Sequence, residues 1–349
     1  MSDMSFGKKI LFCLCGALAA SSIAGFVYLL FIPQARSLVA VIAVASLICS
    51  ILFFVVNQIL KDKNANIRII AQVAAGFVSI LVIFSSVIIT LAPLAVFPCN
   101  HDEKAYDKLT EISEKAESRV SEIKIDDLTG WRICSRNSKS SEPRQVIICF
   151  VGNGMNSAHT TLMVYEDKDS LFGEFTENTD FVCIDYPGYG ISGGTPNGES
   201  VREMSLKVYD EVASWETTSG IILFGYSIGT GPAAYAASER DADGLVLWAP
   251  YANAYDLFNS YIDVFHGPLR LLVTFHMDSD KYIKNVTCPV LIIASDKDEI
   301  VPYQSSRDLF AKANGSASDF VTVSGIGHND FWSESKVLDN TFDFVGEVA

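Results

Sequence analysis

The fold follows from one stretch of sequence, Ile221-Ile222-Leu223-Phe224-Gly225-Tyr226-Ser227-Ile228-Gly229. Its apolar first half is typical of a buried strand, and the small residues from Gly229 to Ser238 indicate a helix. A serine with a glycine two positions before it and another two positions after it, at a strand-to-helix turn, has the pattern of a nucleophile elbow, which tolerates only minimal side chains at those two positions. The N-terminus of the helix favours developing negative charge. An ordinary glycine-rich turn is the alternative, but the flanking strand and helix favour a catalytic Ser227.

Short apolar runs on both sides of this stretch alternate with segments of helical character. Six runs predict strands: Gln145–Val151, Asp180–Ile184, Gly220–Gly225, Gly244–Trp248, Pro289–Ala294 and Asp319–Val323. A strand pair around Leu128-Thr129-Gly130 precedes them. This alternation implies a largely parallel sheet covered by helices on both faces. We therefore predict an α/β domain that covers residues 122–349.

A serine hydroxyl is a weak nucleophile unless a base activates it and an acid orients that base. In this arrangement the acid and then the base follow the serine in the chain. Asp298 comes soon after the strand predicted at 290–294, at the edge where open α/β sheets place their sites. We choose Asp298 as the orienting acid. Asp296 and Glu299 are local competitors, and a solvated acidic loop is the alternative.

His328 is the candidate base, on the loop Gly325-Ile326-Gly327-His328-Asn329-Asp330 after the last predicted strand. It would take the proton of Ser227 and later protonate the leaving group. The four other histidines lie in a predicted stalk, a helix and an apolar insertion: His101, His159, His266 and His276. A lone histidine is usually structural, but the chain order and the glycine-rich loop favour a catalytic role here.

The oxyanion that forms during acyl transfer needs backbone N–H donors. One is expected from Ile228, the residue after the nucleophile, and the other from the loop Val151–Asn156 after the first parallel strand. We nominate the N–H group of Asn153. An ordinary turn is the alternative for this loop.

Together these motifs resemble the membrane-anchored α/β-hydrolase-domain serine hydrolases, a family with lysophospholipase-like and protein-depalmitoylase-like members. They follow the order of that family: Gly152-Asn153, Asp185 to Ser192, Gly225 to Gly229, Asp298 to Pro302, and Gly327 to Asp330. The resemblance spans about residue 123 to the C-terminus and implies the α/β-hydrolase fold. The family usually has His-Gly-Asn at the oxyanion loop, whereas this chain has Val151-Gly152-Asn153. The donor is a backbone group, so this departure concerns how the loop is anchored.

A short lid is predicted between the strands at 244–248 and 289–294. It covers residues 251–286 and is rich in Phe and Leu. Phe258, Phe265 and Leu272 are the candidates for binding an acyl chain in an apolar channel. Simple packing over the sheet is the alternative for these side chains.

Residues 1–98 contain three stretches without a charge: Ile10–Ile32, Ser37–Leu60 and Ile69–Pro98. Each has at least the ~20 residues that a helix needs to cross a bilayer. We predict a transmembrane region of about three helices, followed by a charged helical stalk over residues 99–121. The alternatives are a signal peptide in the first stretch, or a buried core helix in one of the three.

Charge is distributed unevenly, and the mean hydropathy of +0.27 is high for a soluble protein. Residues 1–98 carry six Lys/Arg and two Asp/Glu, whereas the remainder carries 20 and 39. Such an acidic domain is repelled by phosphate backbones, which argues against nucleic-acid binding. Five Lys/Arg lie before the first stretch and between the second and third, against Arg36 alone between the first and second. This distribution predicts a hydrolase domain on the non-cytoplasmic side of the membrane.

The sequence thus predicts a serine hydrolase that cleaves a carboxylic ester or thioester of a lipid-like or acylated substrate through an acyl-enzyme intermediate. This reaction implies no metal or organic cofactor. The eight cysteines also lack the spacing of a metal site. Cys99 and Cys134 either form a disulfide or remain free thiols. The alternative functions are a catalytically inactive membrane scaffold or binding protein of the same fold, and a serine peptidase.

Overall fold

The computed structural model describes residues 36–98, 102–115, 117–137, 142–166, 176–261, 263, 265–273, 275–313 and 318–348. The chain divides into two compact units at the bond between Ala95 and Val96. The first charge-free stretch, Ile10–Ile32, lies outside the described residues, as does Cys99. Cys134 carries a free thiol.

Two helices, α1 (Arg36–Ile59) and α2 (Ala65–Val96), make up the described part of the first unit. Small side chains are buried on them: Ala45, Ser46, Cys49, Ala75 and Ser79. The thiol of Cys49 donates to the carbonyl of Ser79 at 3.8 Å. Large apolar side chains are exposed, among them Phe54, Val73, Phe77 and Ile80. No helix in the described ranges combines the length and the hydropathy that a membrane span requires.

The second unit is built on one sheet, to which eight strands contribute in the part of the chain that the structure describes. In chain order they are β1 (Val120–Ile125), β2 (Leu128–Ile133), β3 (Arg144–Phe150), β4 (Asp180–Ile184), β5 (Thr218–Tyr226), β6 (Gly244–Trp248), β7 (Val290–Ser295) and β8 (Ser318–Val323). Their order in the sheet is β1-β2-β4-β3-β5-β6-β7-β8. Strand β2 pairs antiparallel with β1 and β4, and the other neighbours pair parallel. The largely parallel sheet predicted from the apolar runs is therefore confirmed.

Helices connect and cover these strands. In chain order they are α3 (Glu103–Ser113), α4 (Ser157–Glu166), α5 (Gly198–Ala213), α6 (Thr230–Glu239), α7 (Ala254–Tyr261), α8 (Ser279–Tyr282), α9 (Tyr303–Phe310) and α10 (Ser335–Val348). Strands β4, β6 and β7 are buried along their whole length, as expected for parallel strands covered on both faces. The fully buried Trp248 donates from its ring to the hydroxyl of Thr341 at 2.9 Å, which fixes α10 against the sheet.

Helix α3 occupies the segment for which a stalk is predicted. The carboxylate of Asp102 caps its N-terminus by accepting from the N–H of Ala105 at 3.2 Å. Its apolar face is buried, including Leu109 and Ile112, and the helix packs on α4 and β1. Spacing of three to four residues between apolar side chains puts them on one face of a helix, which explains this burial.

A buried carboxylate, Asp185, directly follows β4. Its Oδ1 atom accepts from the N–H of Ser157 at 2.7 Å, and a second backbone bond comes from Ile191. Its Oδ2 atom has no hydrogen-bond partner among the described residues. Burial raises the pKa of Asp185 to about 7, against the two backbone donors that lower it.

Asp185→Asn tests this raised pKa. Because the native pKa lies above the ordinary value of 3.8, the native state binds the proton more tightly, and its stability falls as pH rises between these two values. The asparagine of the variant does not titrate, so the stability of the variant does not fall over this pH range for this reason. Its free energy of unfolding relative to that of the wild type should therefore rise from about pH 4 to about pH 7. Urea unfolding at several pH values measures the difference, and a constant difference would contradict the assignment.

Candidate active site

Ser227 occupies a strained turn between β5 and α6. Its φ of +54° lies in the left-handed region, which a non-glycine residue rarely adopts. A Cβ atom on Gly229 would overlap the carbonyl oxygen of Phe150, and one on Gly225 would lie 2.5 Å from the carbonyl oxygen of Gly229. The turn is therefore pressed directly against the end of β3. Gly229 is required by this close approach, and Gly225 by the tight packing of the turn on itself, as the sequence pattern predicts.

Three side chains from three separate loops meet at this turn. The hydroxyl of Ser227 lies 2.8 Å from Nε2 of His328, and Nδ1 of His328 lies 2.7 Å from Oδ2 of Asp298. All three side chains are almost fully buried. Their loops follow β5, β7 and β8, so they lie at the carboxyl edge of the sheet, where open α/β sheets bind ligands. The arrangement can pass a proton from the serine to an imidazole that an acid holds in place.

The three neighbouring acids have different partners. Only Asp298 contacts the imidazole, and its Oδ1 atom accepts from the N–H groups of Ile300 and Val301, each at 2.8 Å. Asp296 accepts instead from the N–H of Gly325 at 2.9 Å, and Glu299 from the N–H of His328 at 3.1 Å. The two competitors therefore hold the backbone of the histidine loop.

Tyr226 contributes a contact that the sequence pattern did not indicate. Its ring stacks on the imidazole of His328 with centroids 5.3 Å apart and an interplanar angle of 26°. Its hydroxyl donates to the carbonyl of His328 at 2.7 Å. Burial raises the pKa of Tyr226, and the charges of Asp298, Glu299 and Asp330 raise it further, so the phenol stays protonated as a donor. Its position beside the nucleophile was the only local signal for this role.

The two predicted oxyanion donors lie in different segments. Ile228 is the middle residue of the turn Ser227–Gly229 that leads into α6, and it is buried. Asn153 lies on an exposed turn after β3, which the N–H of Met155 closes on the carbonyl of Gly152 at 3.2 Å. Gly154 has a φ of +73° in the same turn, a conformation that suits glycine.

The candidate acyl-binding residues lie in and around α7. Phe258 and Phe265 are buried and contact each other edge to face with centroids 5.7 Å apart. Leu272 ends a short 3₁₀ helix that begins at Gly267, and its side chain lies outside what the structure describes. Among the described residues, no group of three or more His, Cys, Asp or Glu side chains could hold a metal ion.

No protein-family model matches the chain. Among curated proteins, lysophosphatidylserine lipase ABHD12 from Macaca fascicularis is 28% identical over 175 residues, which is 45% of this chain and 44% of the relative. Alpha/beta hydrolase domain-containing protein aho-3 from Caenorhabditis elegans is 25% identical over 217 residues, 59% of this chain and 63% of the relative. The chain thus matches between 44% and 63% of the length of these relatives.

Among solved structures, Est1E from Butyrivibrio proteoclasticus superposes with a TM-score of 0.53 at 19% identity. The match covers 66% of this chain and 99% of Est1E. At this identity the likeness concerns the fold. The chain has the α/β-hydrolase fold, and its curated relatives include α/β-hydrolase domain proteins and a lipase.

Proposed function

We propose that the chain is a serine hydrolase that cleaves a carboxylic ester or thioester of a lipid-like or acylated substrate. The observation that carries the proposal is the continuous hydrogen-bond chain from Ser227 through His328 to Asp298, with spacings of 2.8 and 2.7 Å. Such spacings are those of a nucleophile, its base and the group that orients the base. A catalytically inactive scaffold is the weaker alternative, because it explains neither the strained backbone of Ser227 nor its hydrogen-bond chain to His328 and Asp298.

In the proposed reaction, the Ser227 oxygen attacks the carbonyl carbon while Nε2 of His328 takes its proton. The N–H groups of Asn153 and Ile228 bind the oxyanion. Collapse of the tetrahedral intermediate breaks the ester or thioester bond, and His328 protonates the departing alcohol or thiol. Water then attacks the acyl-enzyme with His328 as the base and releases the carboxylic acid. Asp298 orients the imidazole and stabilises the imidazolium in both halves of the reaction.

Two observations support a lipid-like substrate. The residues of the lid include a buried aromatic pair, Phe258 and Phe265, and apolar side chains of this kind line most ligand pockets. One curated relative is named as a lysophosphatidylserine lipase, although the match covers less than half of it. We assign the substrate to the class of acyl esters and thioesters with a long apolar chain.

We further propose that the N-terminal region anchors the chain in a membrane, with the hydrolase domain on the non-cytoplasmic side. The support comes from the three charge-free stretches and from the exposed apolar side chains of α1 and α2, such as Phe54 and Phe77. Small buried residues at Cys49 and Ser79 suit close helix packing in lipid.

Substitutions in the triad test the assigned roles. Ser227→Ala and His328→Ala should each lower kcat by at least about 10⁴-fold, and the double variant should lose little more, because the members act as a unit. Asp298→Asn should lower kcat by about 10⁴-fold, since it disturbs the imidazole tautomer. The matched change Asp296→Asn should stay within about tenfold, because it affects only one backbone hydrogen bond. A larger loss in Asp296→Asn than in Asp298→Asn would overturn the choice of acid.

The substrate class is tested with a series of esters of increasing acyl length. Each buried CH₂ contributes up to about 0.8 kcal/mol, so kcat/KM should rise from acetyl to medium and long chains below the micelle threshold. Phe265→Asp should flatten this rise while acetyl-ester cleavage remains. Leu269→Asp is the matched control, because Leu269 is 42% exposed, and it should leave the rise unchanged. A kcat/KM that is highest for the acetyl ester, and whose dependence on acyl length is unchanged in Phe265→Asp, would contradict the lipid substrate.

The membrane orientation is tested by adding protease to sealed, right-side-out cells or spheroplasts, or to the lumenal side of vesicles, that carry the full chain with a C-terminal tag. With the tag and domain outside the cytoplasm, the protease should remove both before lysis. A cytoplasmic protein of the same cells serves as the control and should survive until lysis. Protection of the tag until lysis would overturn the orientation, which rests on the placement of Lys and Arg around the charge-free stretches.

A further inference from the structure

The loop between β3 and α4, residues 151–156, is held at both ends by two consecutive residues of another loop. At its start, the carbonyl of Val151 accepts from the hydroxyl of Tyr186 at 2.7 Å. Immediately after its end, the N–H of Ser157 donates to the carboxylate of Asp185 at 2.7 Å. Asp185 and Tyr186 directly follow β4, which neighbours β3 in the sheet. The loop that carries Asn153 is thus fixed by groups outside itself.

We infer that Tyr186 is a positioning residue for the oxyanion hole. Its hydroxyl fixes the carbonyl of Val151, and thereby the direction of the peptide N–H groups that follow in the loop. The inference rests on the proposed function, because it takes Asn153 as the oxyanion donor. Val151 has no polar side chain, so the start of the loop must be anchored through its backbone. An oxyanion donor acts through its preset direction, so its anchor affects the transition state more than the ground state.

Tyr186 is itself held rigidly. Its ring is 1% exposed and lies edge to face with Tyr189, with centroids 5.4 Å apart, and with Phe97 at 6.2 Å. Phe97 also contacts Phe275 of the lid at 5.3 Å. Burial raises the pKa of Tyr186 well above its ordinary value, so its hydroxyl remains a donor. A side chain packed on several sides cannot follow the loop if the loop moves, which is the property that an anchor needs.

The same loop also touches the base. A Cβ atom on Gly152 would lie 2.7 Å from the ring of Tyr226, so the backbone of Gly152 packs directly on that ring. Tyr226 in turn stacks on His328. Gly152 therefore lies between the Tyr186 anchor at Val151 and the aromatic support of the imidazole.

Tyr186→Phe removes the hydroxyl and keeps the ring. The matched control is Tyr189→Phe, which removes a buried phenol from the same aromatic cluster and leaves the bond between Tyr186 and Val151 in place. Full-length protein is assayed for ester cleavage and for inhibition by a trifluoromethyl ketone, which forms a tetrahedral oxyanion on the serine. Hydrogen exchange of the amides of residues 152–157 is measured on the same samples.

For Tyr186→Phe we expect kcat to fall by at least about tenfold, with KM nearly unchanged. The inhibition constant of the ketone should rise by a similar factor, and exchange in residues 152–157 should accelerate. Tyr189→Phe should change none of these by more than about twofold. Unchanged kcat and ketone affinity in Tyr186→Phe would overturn the inference, as would equal acceleration of loop exchange in both variants.

If the chain is not a serine hydrolase, the result is different. The wild-type protein would then neither cleave esters nor bind the ketone, and Tyr186 would have no role in an oxyanion hole. Faster loop exchange confined to Tyr186→Phe would, in that case, still establish that this hydroxyl holds the loop.

Discussion

The close approach of the Ser227 turn to the end of β3 is the constraint on which the rest of the site depends. Gly229 leaves no room for a side chain against the carbonyl of Phe150, and Ser227 takes a left-handed φ of +54° to make the turn. A strained residue of this kind costs about 1–3 kcal/mol and persists only where its surroundings impose it. Here β5, α6 and β3 impose it. The result is a hydroxyl 2.8 Å from Nε2 of His328, on a turn that packs against the end of β3.

Three residues, Asp298, Glu299 and Tyr226, hold His328 in place through four contacts. Asp298 binds the ring, Glu299 accepts from the backbone N–H, and Tyr226 donates to the backbone carbonyl and stacks on the ring. Ser295 adds a further tie between the acid loop and the histidine loop by donating to the carbonyl of Ile326 at 2.5 Å. A base held in this way loses little orientational freedom when it receives a proton, which favours proton transfer in a fixed geometry.

The sequence predicted the strands and the order of Ser227, Asp298 and His328, because apolar runs and glycine turns are local signals. It favoured Asp298 as the orienting acid, but it could not give the roles of Asp296 and Glu299, since their backbone partners come from the distant histidine loop. The anchoring of Val151 by Tyr186 depends on residues 35 positions apart in different loops. No local pattern encodes such a contact. For the segment of α3 the sequence predicted a charged helical stalk, and the packing of this helix on α4 and β1 is a finding of the structure.

Every step of the proposed reaction requires that Ser227 is a nucleophile in the folded protein. Reaction of the full-length chain with a fluorophosphonate, followed by mass spectrometry of the modified peptide, tests this requirement. We expect one phosphonylated residue, Ser227, and no labelling after heat denaturation or in Ser227→Ala. Absence of labelling in the folded wild type, or equal labelling of Ser227→Ala, would contradict it.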